Sequence, residues 1–211
     1  MDRRVVNIGG ATLQSKEVIE QILPVMERYG SEIVVVPGGG KVADVVREMD
    51  EDLGLSDEKA HWAAIRGMDV MGEMLAGMSE EFYTVEEGSE ISGEGVPVLL
   101  PSELLKREDP LPHSWEATSD SISAWIAGFL GAEAVVLLKR VDGIRKDGEL
   151  VDETSVDDVS GLQQDVVDPL FFDTLQRTGL DAVIVNSGHP ERLEEVFEGG
   201  GTVSTKIEGG T

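Results

Sequence analysis

The sequence predicts an α/β fold built on a mainly parallel sheet. Two observations carry this. Short apolar runs alternate with amphipathic stretches almost from end to end, and glycine-rich loops stop several of the runs. Val5-Val6-Asn7-Ile8 reads as a strand ending at Gly9-Gly10. Val18, Ile19, Ile22, Leu23 and Met26 then recur at helical spacing, and Gly30 ends that helix. Ile33 to Val36 form a β-branched strand of the buried type, stopped by Pro37-Gly38-Gly39-Gly40, with a helix over about 42–49. Ser56 opens a long helix whose apolar face runs through Trp62, Ile65, Met68, Met71, Leu75 and Met78. Residues 86–95 are acidic and rich in Gly and Ser, and read as a mobile surface excursion.

Val96 to Leu100 is the third clear strand. A polar loop through Pro110, Pro112 and His113 leads to Thr118-Ser119-Asp120, which can cap a helix to about Leu130. Ala134 to Leu138 is a fourth buried strand, running into Lys139-Arg140-Val141-Asp142-Gly143. After a hydrophilic stretch over 145–168, a helix (169–178), a strand (181–185), a helix (190–198) and a strand near 203–207 close the chain. Neither a repeat nor a linker of disordered composition interrupts this order. Residues 1–211 therefore read as one domain with two lobes, about 1–130 and 131–211.

Charge excludes more than size does. With 42 Asp+Glu against 17 Lys+Arg the formal net charge is -25, a field that repels phosphate backbones, so nucleic acid is not an expected partner. Acids decorate most segments rather than one tail, which favours adaptation to a high-salt interior over an acidic binding tail. The absence of cysteine excludes thiolate metal sites, disulfides and Cys nucleophiles. No apolar run reaches membrane-spanning length and no signal peptide is visible, so the expectation is a cytoplasmic protein without a membrane partner.

Parallel sheets place ligands beyond the C-terminal ends of their strands. Gly9-Gly10, Gly38-Gly39-Gly40, Thr118-Ser119-Asp120 and the Lys139–Gly143 loop all fall there. Glycines after a strand are either tight turns or cradles that let backbone N–H groups approach phosphate oxygens. Lys139 ends a buried strand, where it either neutralises a phosphate or pairs with Asp120 or Asp142. Lys41 and Lys206 are the other cations near such loops, and Asp120 alone would be a helix cap. His61, His113 and His189 lack metal-ligand spacing, and no G-x-S-x-G, G-x-G-x-x-G or Walker loop is present.

The segments VVVPGGGKVADVVR (34–47), TSDSISA (118–124) and LLKRVDGI (137–144), with the final T-K-I, together resemble the amino acid kinase superfamily across the whole chain. That resemblance implies a three-layer αβα sandwich of the carbamate kinase-like type, ATP and Mg²⁺, and a homo-oligomer, dimer or higher. It places Gly9 and Gly10 along the ATP phosphates, and Lys139, Val141, Asp142, Gly143 and Lys206 around the nucleotide. Gly38, Gly39 and Gly40 fall on the acceptor, with Asp120 orienting the catalytic lysines. HWAAIRGMDVMG (61–72) and LPHSWEATSDSISAWIA (111–127) are most similar to an archaeal branch that phosphorylates [5-(aminomethyl)furan-3-yl]methyl phosphate in methanofuran biosynthesis. His61, His113, Ser114, Trp115 and Ser119 are the acceptor-side candidates, with Trp62 as a further ring wall. No residue is assigned to a metal. One position departs from the family: its first strand ends Lys-x-Gly-Gly, and here the lysine's place is Asn7. An amide carries no charge, so Lys41, Lys139, Lys206 or an Arg must supply the cation for phosphoryl transfer. The alternatives are a kinase for a nucleoside monophosphate or an amino acid, or a nucleotide- or oxyanion-binding protein without efficient transfer.

Overall fold

A computed structural model describes residues 3–162 and 164–210. The β-branched first run forms β1 (Arg4–Ile8), followed by a short α1 (Gly10–Leu13) and the amphipathic α2 (Lys16–Tyr29). Next come β2 (Ile33–Pro37), then α3 (Gly40–Leu53) and α4 (Asp57–Ala76), packed on each other. An edge strand β3 (Phe82–Val85), β4 (Val96–Leu99), α5 (Pro101–Glu108) and α6 (Ser119–Leu130) complete the first half. The second half holds β5 (Ala134–Lys139), the hairpin β6 (Arg145–Lys146) and β7 (Glu149–Leu150), β8 (Glu153–Ser155) and α7 (Val156–Val159). It closes with α8 (Phe171–Thr178), β9 (Asp181–Asn186), α9 (Pro190–Phe197) and β10 (Ser204–Glu208).

Eight strands form one sheet in the order β3-β4-β2-β1-β5-β9-β10-β8, parallel except where β10 runs against β9. Strand β1 lies inside it, with Asn7 level with Val36 of β2 and Leu137 of β5. Both faces are covered, which is why these strands are apolar without alternation. Val5, Val34 and Leu137 face a core shared with Ile122 of α6 and Phe171 of α8, while Val6, Val35 and Val136 face Ile22 of α2 and Phe197 of α9. The αβα sandwich expected from the sequence is the fold observed.

Several local readings need correction. Helix α4 stops at Ala76, so Met78 lies beyond it and is 42% exposed rather than core. The polar loop before Pro110 contains α5, started by Pro101 at its first turn, where a missing N–H costs nothing. Stretch 86–95 is exposed but tied down. Glu90 accepts from the backbone N–H of Glu86 and Glu87, and Arg107 pairs with Glu87 at 2.7 Å. Ser56 and Thr118 stand at helix starts without capping through their side chains.

The surface charge gives the fold a salt dependence. Exposed like charges repel, and counter-ions screen them over about 8–10 Å near physiological ionic strength. The melting temperature is therefore expected to rise as NaCl goes from dilute to molar, followed by circular dichroism. A flat or falling curve would remove the high-salt reading of the composition.

Candidate active site

Two glycine loops meet at the C-terminal ends of β1 and β2. The Gly38 N–H donates to the Ile8 carbonyl at 2.9 Å, and the Gly9 N–H donates to the Leu138 carbonyl at 3.1 Å. A Cβ on Gly38 would lie 2.6 Å from the Gly10 nitrogen, and one on Gly10 would lie 3.0 Å from the Gly40 nitrogen. Backbone occupies the space that a side chain on Gly38 would need, so that position requires glycine, while at Gly10 a side chain would press tightly on the facing loop. Gly10, Gly39 and Gly40 open onto a cleft of about 340 Å³, closed on its other sides by α3, α4, the 114–119 segment and Lys139. Gly9 and Gly38 lie behind this surface as its support.

Lys139 supplies the cation beside the loops. Its Nζ sits 2.6 Å from both carboxylate oxygens of Asp120, and its side chain passes over Gly9. Asp120 is not the helix cap. That duty falls to Asp168, whose Oδ2 accepts from the Thr118 N–H (3.0 Å) and Oγ1 (2.8 Å) and from the Ser121 N–H and Oγ (both 3.0 Å). The Asp168 N–H in turn donates to Asp120 Oδ2 at 3.2 Å, which fixes the carboxylate that holds Lys139. Burial, then the neighbouring Asp120 charge, raises the Asp168 carboxyl above its ordinary value. Sequence reasoning missed Asp168. Its signal was a lone acid set between Val166-Val167 and the apolar run after Pro169.

Asn7 does not line the cleft. It is fully buried, and its Nδ2 donates to Ser123 Oγ (3.0 Å), the Ser119 carbonyl (3.2 Å) and the Val36 carbonyl (3.4 Å). Its Oδ1 has no partner among the described residues. Asn7 therefore ties β1 to the first turns of α6. Ser119, which receives this bond, also borders the cleft.

The aromatic wall differs from expectation in the same way. His61, Ser114 and Trp115 line the cleft, whereas His113 backs His61, stacked at 4.9 Å with Nε2 on Asp109 at 2.7 Å. Trp62 meets both rings edge-on and packs against the core. Arg47 and Asp44, on the cleft-facing side of α3, belong to the 34–47 segment that carries the resemblance but were given no site role, because they sit in a helix full of charge. Lys41 begins that helix exposed to solvent.

Val141, Asp142 and Gly143, expected beside the nucleotide, form a separate turn outside the cleft. Asp142 accepts from Asn186 (3.0 Å) and Arg192 (2.7 Å), which hold its carboxyl below the usual range. The Ile144 N–H ties the turn to Thr205 of β10 at 2.9 Å. Lys206 does not reach the cleft. In register opposite Glu153 on β8, it forms a cross-strand pair with it at 2.8 Å, exposed on the sheet edge.

His61 gives the site a pH signature. Burial pushes its imidazole below the ordinary value, against an interaction with the Ser114 backbone that works the other way. An unfolded histidine then protonates first as pH falls below about 6.5, so folded stability is lost from there down through the lowered value. Between pH 7.5 and 5.5 wild type should lose more melting temperature than His61→Gln; parallel curves would show that His61 carries no such linkage.

A sequence profile of the amino acid kinase family matches residues 2–186. The chain is 35% identical over 212 residues to the [5-(aminomethyl)furan-3-yl]methyl phosphate kinase of Methanocaldococcus jannaschii, covering 97% of each protein. It is 27% identical over 227 residues to the uridylate kinase of the same organism, covering 93% of this chain and 96% of that protein. The crystal structure of uridylate kinase from Archaeoglobus fulgidus superposes with a TM-score of 0.76 at 19% identity, covering 97% and 99% of the two chains. Matched over most of its length in sequence and throughout its fold, the chain belongs to the amino acid kinase family.

Proposed function

We propose that the protein is an ATP-dependent kinase that converts [5-(aminomethyl)furan-3-yl]methyl phosphate to its diphosphate. The supporting observation is Lys139, fixed 2.6 Å from Asp120 where two backbone-packed glycine loops meet. Phosphoryl transfer asks mainly for positioning and for neutralisation of the moving charge. An oxygen of the acceptor's phosphate attacks the γ-phosphorus, the bond to the β-phosphate oxygen breaks, and ADP leaves. A phosphate monoester is already largely ionised at neutral pH, so Asp120 can remain committed to Lys139 and need not take a proton. The acceptor lies on the 1–130 side, against Gly39, Gly40, Trp115 and His61. The nucleotide runs from Gly10 and Lys139 toward the Val141–Gly143 turn.

Among the described residues no group of three acids or histidines is arranged to hold a metal. Such a site would take Mg²⁺ together with the nucleotide, held by its phosphates rather than by a set of protein ligands, and the ion would supply charge neutralisation there. No described helix is long and apolar enough to cross a membrane, and the reaction belongs in the cytoplasm with ATP. The second reading, ligand binding without efficient transfer, rests on Asn7 standing where the family has lysine. Calorimetry and product analysis with ATP–Mg²⁺ and the furan phosphate separate the two. Diphosphate formation supports the kinase, whereas tight ATP binding with no transfer to this acceptor, UMP or an amino acid supports the alternative.

Assembly belongs to the same reading. Val45, Met49 and Leu53 on α3 and Val70 and Met74 on α4 recur at four-residue spacing and are 47–64% exposed. An apolar stripe of this kind on a protein of net charge -25 is suited to a second copy of the chain once salt screens repulsion. Light scattering should show a dimer at molar salt that Met49→Glu converts to monomer; a wild-type monomer at all salt concentrations would exclude this interface.

A further inference from the structure

The cleft holds two carboxylates, Asp120 and Asp44, and they stand very differently. Asp120 is matched by Lys139. Asp44 receives a single neutral contact, from Gln14 Nε2 at 3.3 Å, and makes no ion pair among the described residues. A cation is available one helical turn on, because Arg47 occupies position i+3. Arg47 is instead drawn over the Trp115 ring, 4.3 Å from its centroid, and Trp115 is held there by Nε1 donating to Asp50 at 2.8 Å. Asp44 is thus left uncompensated in a cleft whose other end is built for phosphate. Such a carboxylate works against an anionic ligand unless that ligand also brings a positive charge.

We propose that Asp44 is a specificity-determining residue that binds the ammonium group of a zwitterionic phosphorylated acceptor. The inference rests on the furan phosphate reading and deepens it. Asp44 lies one turn, about 6 Å, along α3 from Gly40. That span is comparable with a five-membered ring bearing a methylene on each side. With the acceptor's phosphate at Gly40 and Lys139, its aminomethyl group falls at Asp44, and the Arg47–Trp115 stack walls the ring. The same carboxylate repels phosphorylated acceptors that carry no cation, which is selection by an unfavourable as well as a favourable charge.

The test compares the aminomethyl acceptor with its hydroxymethyl counterpart, by kcat/KM and by calorimetric Kd, in wild type and Asp44→Asn. Asp44 is exposed, so the substitution does not threaten the fold. Wild type should prefer the amine about 10- to 100-fold, the discrimination expected of one charge-assisted hydrogen bond. In Asp44→Asn that ratio should fall to near one. A wild-type protein without preference, a preference that survives the substitution, or an equal loss for both compounds overturns the inference and leaves the kinase reading standing. Binding without transfer removes the kinase reading, and the Kd ratios still decide the role of Asp44. Failure of wild type to bind either compound overturns the acceptor reading and this inference together.

Discussion

Lys139→Met is expected to lower kcat by about 10² to 10³, the effect of removing a positioned group that stabilises transition-state charge. ATP affinity should change far less, since the loss falls on an interaction strongest in the transition state. Of the three lysines that the sequence offers, Lys41 is solvent-exposed, Lys206 is engaged with Glu153 at the sheet edge, and only Lys139 borders the cleft. The same substitution strands Asp120, whose side chain is 4% exposed, without its counter-charge. A stability loss of about 3 kcal/mol follows, the low end for breaking a buried pair, because the Asp168 N–H still serves the carboxylate. Removing both charges separates the two effects. The double variant Asp120→Asn/Lys139→Met should recover much of the stability and none of the rate, measured by denaturant unfolding and steady-state transfer. A single variant within about threefold of wild-type kcat would reduce Lys139 to a structural ion pair.

The Asp120–Lys139 pair also shows where sequence reading reaches its limit. Both residues were legible as candidates, because a lysine ending a buried strand and an acid opening a helix each need a reason to be there. Their partnership was legible only as one option among two. With Asp120 taken as a cap, Asp120→Asn would cost a few tenths of a kcal/mol. The cap is in fact Asp168, nearly fifty residues downstream, and periodicity carries no information about such a contact. The central strands were readable because burial on both faces forces unbroken β-branched runs. The edge strand Phe82–Val85 was overlooked beside the acidic 86–95 segment, although Phe-Tyr-Thr-Val is rich in strand formers. The hairpin at 145–150 was hidden in a hydrophilic stretch. Its two-residue Asp147-Gly148 loop, both with positive φ, is a strong local signal. Arg47 and Asp44 show the opposite difficulty: in a charge-rich helix neither type stands out, and only their placement on the cleft gives them a role.

Asn7→Lys is expected to lower both stability and rate, although the resemblance to the family implies a lysine at this place. Asn7 is fully buried between Val36 and Leu137, and its amide links β1 to Ser119 and Ser123 of α6. A lysine there loses that link and brings a second ammonium toward a site already neutralised by Lys139. Both Asp120 oxygens are within 2.6 Å of the Lys139 Nζ, so Asp120 is already committed and is not free to receive it. Like charges brought within ~5 Å repel by about 3 kcal/mol at an effective dielectric near 20, enough to displace Lys139 from its seat. A fall in kcat of tenfold or more, about 1.4 kcal/mol, is therefore the expected result. Asn7→Leu supplies the control. It removes the orphaned Oδ1 along with the amide donor, keeps the interior neutral, and should retain most of the rate if Asn7 serves only as scaffold. Steady-state transfer and thermal unfolding of the two variants decide the matter. A rate gain in Asn7→Lys would mean that position 7 is a degraded catalytic site and that Lys139 does not fill its role. A loss of rate in Asn7→Leu as deep as in Asn7→Lys would instead give the amide a part in the chemistry.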